Sequence, residues 1–475
     1  MSMEHPRTDG RAPDTRTERD SLGTRDVPRE AYWGISALRA VENFPMTGRG
    51  VGTLRSMVWA LGTIKHAAAT ANEQLNLLPA TVAQAIRAAA EEVMGGLHDD
   101  QFVVDLIQGG AGTSTNMNAN EVLANRALEI LGRPKGDYAV VHPIDHVNRS
   151  QSTNDVYPTA AKMALAVEIE GLQSEHRLLS EAFDRKAGEF KGIYKVGRTQ
   201  LQDAVPMTLG QEFRAFAATL REDHARLGEF RAYLLETNLG ATAIGTGITA
   251  SPDYRQLVVS ELRRVSGLPV VSAENLMEAT SDAGVFILIS GMLKRTAVKL
   301  SKICNDLRLL SSGPQGGFGE ITLPAVQAGS SIMPGKVNPV IPEVVNQVAF
   351  RVVGADAAVT MAVEAGQLQL NAFEPLMVHE LFESVGLLTS ACRQLRMRCV
   401  EGIEPNRPVL AARMHESVSM VTGLAPHLGY GKAAELAQVA LLEHRSILDV
   451  AQESGLLSRE ELDRAVDLAL LANDR

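Results

Sequence analysis

The chain has 475 residues, of which 45% are hydrophobic and only 4% aromatic, a composition that favours one large helical body over several small β domains. A formal net charge of −10 argues against a nucleic-acid-binding protein, because no basic stripe is available to neutralise phosphates. No run reaches the roughly 18 apolar residues of a membrane span, and the N-terminus lacks the apolar core of a signal peptide. We therefore expect a cytoplasmic protein with no membrane partner.

The cysteines and histidines give no sign of a metal site. Cys304, Cys392 and Cys399 form no C-x-x-C pair, and no His/Cys set has metal-ligand spacing. We expect reduced thiols in a reducing compartment. A dinucleotide fingerprint is also missing, so the sequence predicts neither a metal nor a cofactor.

The chain begins with residues 1–19, which are charged or small and include almost no large apolar side chain. This composition predicts a disordered tail. Apolar residues then recur at helical spacing from Val51 to Leu75 and from Pro79 to Met94, which predicts two amphipathic helices.

Two polar breaks follow, at residues 109–121 and 142–155. In both, small residues and hydroxyls immediately precede an apolar helical run, a pattern typical of an anion-binding helix N-terminus. Ordinary N-capping by Ser, Thr, Asn or Asp is the alternative for either break taken alone.

The middle of the chain has three segments with apolar residues at three- and four-residue spacing, each interrupted by a polar residue: His176, Asp223 or Thr296. The apolar positions are Leu165, Ile169, Leu172, Leu179 and Phe183; then Phe213, Phe216, Leu220, Leu227, Phe230 and Leu234; then Phe286, Ile289, Leu293, Leu300, Ile303, Leu307 and Leu310. Such spacing predicts long helices packed in one bundle. A helix of about 30 residues is about 45 Å long, too long for one small domain to cover, so we predict a homo-oligomer.

Residues 197–206 have the composition of a polar loop before a helix, and residues 240–247 that of a glycine-rich tight bend. A phosphate cradle is the weaker alternative for the second segment, because the Walker lysine is missing. Helical patterns return at residues 343–370 and 377–400.

From Glu404 onward the periodic segments become shorter, which predicts the start of a small C-terminal domain. The residues that begin at Ser458 have the pattern of a capped final helix.

The segment Gly329 to Pro339 concentrates groups that can handle an anion and a proton. It carries the hydroxyls of Ser330 and Ser331, the ammonium of Lys336 and the amide of Asn338. Prolines that suit the first turn of a following helix come next, and the N–H groups and dipole of that helix would favour a bound anion. A glycine-serine surface turn with a solvated lysine is the plain alternative.

Together these segments resemble the aspartase/fumarase superfamily, and within it the aspartase branch. The resemblance spans about residues 20–470 and rests on residues 109–121, 150–158, 197–212, 329–338 and 364–371. It implies an all-α fold with a helical N-terminal domain at 20–150, a central long-helix bundle domain at 151–404 and a small helical C-terminal domain at 405–475. It also implies a homotetramer with a tetrameric helical core, in which each active site draws on three subunits.

The resemblance further implies the chemistry: anti elimination of ammonia from L-aspartate to give fumarate, through an aci-carboxylate, with no cofactor. Ser330 matches the base, which requires adjacent N–H donors and the cationic loop to favour its oxyanion. The matches to the donors for the β-carboxylate are Thr113, Ser152, Thr153 and Ser331. The matches to the groups that hold the α-carboxylate are Lys336, Asn338 and Thr199. The substrate ammonium would be bound by Asn154 and Gln200.

A few positions, chiefly Gln200, Asn154 and Ala111, separate the branches of the superfamily. Fumarases usually carry His where Gln200 stands and Ser where Ala111 stands, so both positions follow the aspartase pattern, as does Ser152-Thr153-Asn154. Some aspartases also keep His at the first position, so Gln200 argues against a fumarase more than it identifies an aspartase. Hydroxide needs a proton to leave, for which a His–carboxylate pair is suited; Glu343 could supply the carboxylate, but Gln200 replaces the His. The alternatives are a fumarate hydratase, a lyase for a related amino diacid and, more remotely, a catalytically silent structural protein on the same fold.

Overall fold

The computed structural model describes residues 14–473, and this part of the chain is mainly helical. Its helices in chain order are α1 (Ile35–Asn43), α2 (Arg55–Gln74), α3 (Ala80–Met94), α4 (Thr113–Ile130), α5 (Thr153–Glu189), α6 (Leu209–Tyr233), α7 (Tyr254–Ser266), α8 (Leu276–Ser281), α9 (Gly284–Leu310), α10 (Val340–Glu364), α11 (Glu374–Arg398), α12 (Arg407–Glu416), α13 (Val421–Leu428), α14 (Tyr430–Glu443), α15 (Ile447–Glu453), α16 (Arg459–Ala465) and α17 (Leu468–Leu471). No helix among the described residues is long and apolar enough to cross a membrane.

Short strands, which have no signal in the sequence pattern, form two-stranded sheets. In chain order they are β1 (Thr15–Asp20), β2 (Gly23–Pro28), β3 (Tyr194–Thr199), β4 (Gln202–Thr208), β5 (Glu236–Thr237), β6 (Val271–Ser272), β7 (Ile321–Thr322) and β8 (Glu404–Pro405). The β1–β2, β3–β4 and β7–β8 pairs are antiparallel, and β5 pairs with β6 in parallel.

The predicted tail is corrected at its C-terminal end. Residues 1–13 lie outside the described residues, but residues 14–19 include most of β1. The guanidinium of Arg16 donates to the carbonyls of Pro28, Arg29, Ala31 and Trp33. These bonds to distant backbone groups order a charged segment that its own composition marks as disordered.

The chain folds into two compact units, each assembled from separate stretches of sequence. Unit 1 extends to Glu170 and includes Gly228–Leu293 and Gly354–Val385. Unit 2 comprises Gly171–Leu227, Lys294–Val353 and the chain from Gly386 onward. The division into three domains stays a prediction.

In unit 1, α2 packs against α3 and α7, and α3 packs against α4. The contact face of α2 is built from small residues, among them Ala60, Ala67, Ala68 and Ala71, all with 0% exposure. A Cβ at Gly62 would lie within 3.1–3.3 Å of atoms of α3. Small side chains therefore let these helices approach closely.

In unit 2, the predicted packing of the long helices on one another is confirmed. Phe183 of α5 lies with its ring centroid 5.9 Å from that of Phe213 in α6 and 5.6 Å from that of Phe216. Asn346 of α10 donates from Nδ2 to the carbonyl of Ser301 in α9 at 3.1 Å. The apolar positions of the three repeats given above, which lie partly in unit 1 and partly in unit 2, are all buried except Phe230, which is half-buried.

Some of the predicted helix ends are confirmed and others are wrong. The two polar breaks do precede helices, since α4 begins at Thr113 and α5 at Thr153. The helix predicted for residues 343–370 stops at Glu364, and Asn371 Nδ2 donates to the carbonyls of Ala362 at 2.9 Å and Val363 at 3.2 Å in its last turn. Ser458 caps α16 with a capping box, as predicted, but α17 follows, so α16 is not the last helix.

Candidate active site

The loop between β7 and α10 holds the predicted base. Ser330 is half-buried, and its Oγ accepts hydrogen bonds from the backbone N–H of Ile332 at 3.1 Å and of Met333 at 3.0 Å. Two N–H donors on one oxygen favour the negative charge that forms when the hydroxyl loses its proton. The expected adjacent donors are therefore present.

Hydrogen bonds close this loop on itself. The Gly329 N–H donates to the Lys336 carbonyl at 2.9 Å, and Asn338 Nδ2 donates to the Gly329 carbonyl at 2.8 Å. A Cβ at Gly329 would lie 2.3 Å from the Lys336 carbonyl oxygen, and Gly335 has a φ of +82°, so both positions favour glycine. The loop lines a cavity of about 400 Å³, whose wall includes Ser330 and Lys336.

The start of α10 follows directly after the loop. Ser331 lies exposed in the loop, and Pro342 lies in the first turn of the helix, where its missing N–H costs no hydrogen bond. Glu343, in the same turn, donates from its backbone N–H to the Pro339 carbonyl at 3.1 Å. Its carboxylate is thus placed where the helix dipole favours an anion.

Residues 197–206, predicted as a polar loop, instead form most of the β3–β4 hairpin. Thr199 ends β3 and pairs with Gln202, while Gln200 and Leu201 form the turn with φ values of 53° and 62°. Two positive φ angles fit a type I′ turn, which matches the twist of paired strands. This turn presents Thr199 and Gln200 at an exposed tip. The hairpin has no signal in the sequence, because its turn lacks the usual Asn-Gly or Asp-Gly.

A buried carboxylate anchors this hairpin. Glu320 is only 1% exposed, and its oxygens lie 2.8 Å from Lys195 Nζ and 2.6 Å from Arg198 Nη1, both on β3. Arg413 of α12 lies 3.4 Å from the same carboxylate. Burial raises the pKa of Glu320, but Lys195 and Arg198 more than offset this and leave it below its ordinary value. Glu320 therefore stays ionised and fixes the strand that ends at Thr199.

The start of α4 is fixed by an unusual turn. Gly110, Ala111 and Gly112 all have positive φ, at 89°, 55° and 86°. Thr113, the first residue of the helix, is exposed and donates from Oγ1 to the Gly110 carbonyl at 2.8 Å. Its hydroxyl must therefore rotate before it can donate to a substrate carboxylate.

The start of α5 carries three further predicted residues. Ser152 Oγ accepts from the Asn154 N–H at 3.2 Å, and the carboxylate of Asp155 accepts from the Ser152 N–H at 3.0 Å. Asn154 Nδ2 donates to the Ala243 carbonyl at 2.8 Å, which leaves Oδ1 as the acceptor end of this amide. That orientation suits the predicted contact with an ammonium group. Thr153, between them, is buried.

The glycine-rich segment at residues 240–247 supports this helix start. Asp155 Oδ2 accepts from the N–H groups of Gly240 at 3.1 Å and Thr242 at 2.9 Å. Gly245 has a φ of +98°, and a Cβ there would lie 2.4 Å from the backbone of Met277. The predicted tight bend with close backbone approach is confirmed.

Sequence reasoning missed one charged residue behind these helix starts. Lys65 of α2 has 0% exposure, and its Nζ donates to Asn116 Oδ1 at 2.8 Å, Asn148 Oδ1 at 2.9 Å and Gln151 Oε1 at 2.9 Å. Burial lowers the pKa of Lys65 to about 7, although the charge of Asp155 acts in the opposite direction. A lysine inside an alanine-rich helical run was the available signal.

The predicted residues fall in both compact units. Unit 1 contains Thr113, Ser152, Thr153 and Asn154; unit 2 contains Thr199, Gln200, Ser330, Ser331, Lys336, Asn338 and Glu343. Within unit 2, one loop brings together Ser330, Ser331, Lys336 and Asn338. Within unit 1, one hydrogen bond joins Thr153 to Asn116 of α4. Their roles toward a substrate stay predictions.

Comparisons with known proteins identify the class. Residues 23–354 match the family described as Lyase, and residues 420–473 match the one described as Fumarase C C-terminus. The first match covers more than half of the chain and defines it as a lyase. The chain belongs to the aspartase/fumarase superfamily.

Individual relatives are similar along nearly the whole chain. An aspartate ammonia-lyase of Pseudomonas fluorescens is 55% identical over 449 residues, which cover 94% of each chain. A crystal structure of a fumarate lyase:delta crystallin from Brucella melitensis, bound to cobalt, superposes with a TM-score of 0.94 at 56% identity and covers 96% of this chain and 99% of that one. A class II fumarase from Schistosoma mansoni has a TM-score of 0.92 at 35% identity over the same shares.

Proposed function

We propose that this chain catalyses the reversible anti elimination of ammonia from L-aspartate to give fumarate. The observation that carries the proposal is the 55% identity, over 94% of both chains, to an aspartate ammonia-lyase. The class II fumarase is more distant, at 35% identity. Gln200 in place of His agrees with this ranking, because an ammonium leaves without the proton that hydroxide requires.

Proton removal falls to Ser330. Its Oγ accepts two backbone N–H groups, and the same loop carries the ammonium of Lys336. Both features favour a serine oxyanion that can take the C3 proton of aspartate. The C3 proton is weakly acidic, so the doubly negative aci-carboxylate must be stabilised by donors in place beforehand. Thr113, Ser152, Thr153 and Ser331 are the groups we assign to that task.

The other end of the substrate is held by separate groups. Lys336, Asn338 and Thr199 bind the α-carboxylate, and the amide oxygens of Asn154 and Gln200 accept from the ammonium. The bond from Asn154 Nδ2 to the Ala243 carbonyl supports this assignment, because it turns Oδ1 toward other donors. Departure of ammonia from C2 then completes the elimination without a metal or cofactor in our scheme.

We further propose a homotetramer with active sites shared between three subunits. Exposed apolar side chains on α10 support an oligomer: Phe350 is 67% exposed and Met361 72%. Burial of such residues against other subunits would remove apolar area from water. Light scattering should give the mass of four 51.1 kDa chains, and the mass of one chain would refute the oligomer.

Three domains, at residues 20–150, 151–404 and 405–475, remain part of this proposal. The start of α5 at Thr153 and the short β8 before α12 lie close to the two proposed boundaries. The three cysteines are free and buried, which suits reduced thiols and a cytoplasmic location.

Ultraviolet absorbance of the conjugated double bond of fumarate provides the test. We expect absorbance to grow with L-aspartate as substrate, whereas growth with L-malate alone would support the hydratase instead. Ser330→Ala should lower kcat at least about 10³-fold with little change in KM.

Ser312→Ala is the matched control for this variant. Ser312 Oγ also accepts a backbone N–H, that of Phe318 at 3.0 Å, but it lies outside the predicted site. We expect the kcat of Ser312→Ala to stay within a few-fold of that of the unmodified enzyme. A nearly unchanged kcat for Ser330→Ala would refute the role of Ser330 as base.

A further inference from the structure

Lys65 is a fully buried lysine that the mechanism above does not use. In its ammonium form, Nζ has three hydrogen-bond donors and no acceptor, and each donor has an amide oxygen as partner, from Asn116, Asn148 or Gln151. All three amides must therefore turn their oxygen toward the ammonium. The orientation of the three amide groups is thus dictated by the chemistry of the lysine.

Asn116 transmits this orientation to a predicted substrate-binding residue. With Oδ1 on Lys65, its Nδ2 faces the other way and donates to Thr153 Oγ1 at 3.1 Å and to Asn148 Oδ1 at 3.2 Å. A hydroxyl that accepts an N–H at its oxygen keeps its own proton for another acceptor. Thr153 is thereby set as a hydrogen-bond donor.

We propose that Lys65 is a positioning residue of the elimination reaction, which acts through Asn116 to hold the Thr153 hydroxyl as a donor to the carboxylate that becomes the aci form. This inference rests on the proposed function. A donor fixed before the reaction stabilises charge that develops in the transition state more than charge already present in the substrate. Lys65 therefore acts on kcat more than on KM.

The burial of Lys65 fits this purpose. A lysine with 0% exposure loses its hydration, and burial shifts its pKa to about 7. Three amide dipoles and the charge of Asp155 are the groups that favour the charged form. An apolar side chain would fill the same space with less electrostatic cost, but it could not orient Asn116.

The sharpest test is Asn116→Asp. A carboxylate has the shape of the amide but only accepts hydrogen bonds. Lys65 keeps its partner, while Thr153 must now donate its proton to the new carboxylate instead of to the substrate. We expect kcat for fumarate formation to fall about 10²-fold with KM changed much less. Thr153→Val should show the same loss, and the double variant no further loss.

Asn118→Asp is the matched control, on the same helix. Asn118 is fully buried and donates to the Gln101 carbonyl at 2.9 Å, with no bond to Thr153. We expect this variant to lose stability but to keep kcat within about threefold, since it buries a charge without turning the Thr153 hydroxyl. Lys65→Met should lower kcat as Asn116→Asp does. If Lys65→Met fails to fold, Asn116→Asp and Thr153→Val still test the proposal.

The outcomes separate the two proposals. An unmodified enzyme that makes no fumarate from L-aspartate would refute the proposed function. An active enzyme in which Asn116→Asp keeps kcat within about twofold would overturn only the role of Lys65. Losses that multiply in the Asn116→Asp, Thr153→Val double variant would also overturn it, because they would show that the two side chains act independently.

Discussion

Substitution of Gly112 by Ala tests how the start of α4 is held. Gly112 is the N-cap of that helix with a φ of +86°, and a Cβ there would lie 2.3 Å from atoms of the Tyr157 ring. The left-handed backbone costs alanine roughly 1–2 kcal/mol. A methyl group forced against a buried ring adds about 1–3 kcal/mol. We therefore expect the free energy of unfolding to fall by about 2–5 kcal/mol.

Two other glycines separate these contributions. Gly132 follows the same helix with a φ of +69°, but no heavy atom lies within 4 Å of a Cβ built there. Gly132→Ala should therefore carry the backbone cost alone, roughly 1–2 kcal/mol. Gly171 lies inside α5, and no heavy atom lies within 4 Å of a Cβ built there. Gly171→Ala should therefore raise the free energy of unfolding by up to about 1 kcal/mol.

Urea unfolding of all three variants, at one fixed protein concentration, measures the difference. The concentration is held constant because the stability of an oligomer depends on it. Equal losses for Gly112→Ala and Gly132→Ala would refute the idea that the Tyr157 ring fixes the start of α4.

Two further predictions concern buried carboxylates. Glu320→Gln removes the negative charge that Lys195, Arg198 and Arg413 share. We therefore expect the free energy of unfolding in urea to fall by about 3–5 kcal/mol and KM for aspartate to rise. An unchanged urea midpoint would contradict this expectation. Burial raises the pKa of Glu121 to about 7 from 4.5, against three backbone N–H donors. The folded state binds the Glu121 proton more tightly than the unfolded state does. The protonated carboxyl therefore stabilises the fold fully below about pH 4.5, and this contribution of about 3 kcal/mol to the free energy of unfolding is lost as the pH rises through about 7. The urea midpoint of the unmodified chain should fall as the pH rises across that range, and the midpoint of Glu121→Gln should not show this fall. Equal pH dependence in both proteins would contradict the role of Glu121.

The long helices could be predicted from the sequence because their burial follows one period. Leu165, Phe213 and Leu300 each belong to a three-four repeat, and all three have 0% exposure. The polar interruptions did not hide the pattern: His176 and Thr296 are equally buried. Apolar spacing thus indicates which face of a helix is covered even where single positions break it.

Strands were missed because their order depends on partners far along the chain. Thr15–Asp20 is a charged sequence with no apolar alternation, and Arg16 is held by carbonyls 12 to 17 residues away. The turn at Gln200 and Leu201 uses positive φ without glycine or asparagine. Neither feature has a local signature that composition or periodicity could detect.

The predicted site residues of unit 1 and of unit 2 differ in the same way. Ser330 receives its N–H donors from residues two and three positions ahead, so a short motif carries most of its environment. Thr153 depends on Asn116, 37 residues before it, and Asn116 depends on Lys65, 51 residues earlier still. Variants of Ser330 should therefore change the chemistry and leave the fold intact. Variants of Lys65 should affect both, which is why the Asn116→Asp exchange, which leaves the buried lysine with an acceptor, is the cleaner probe of the buried network.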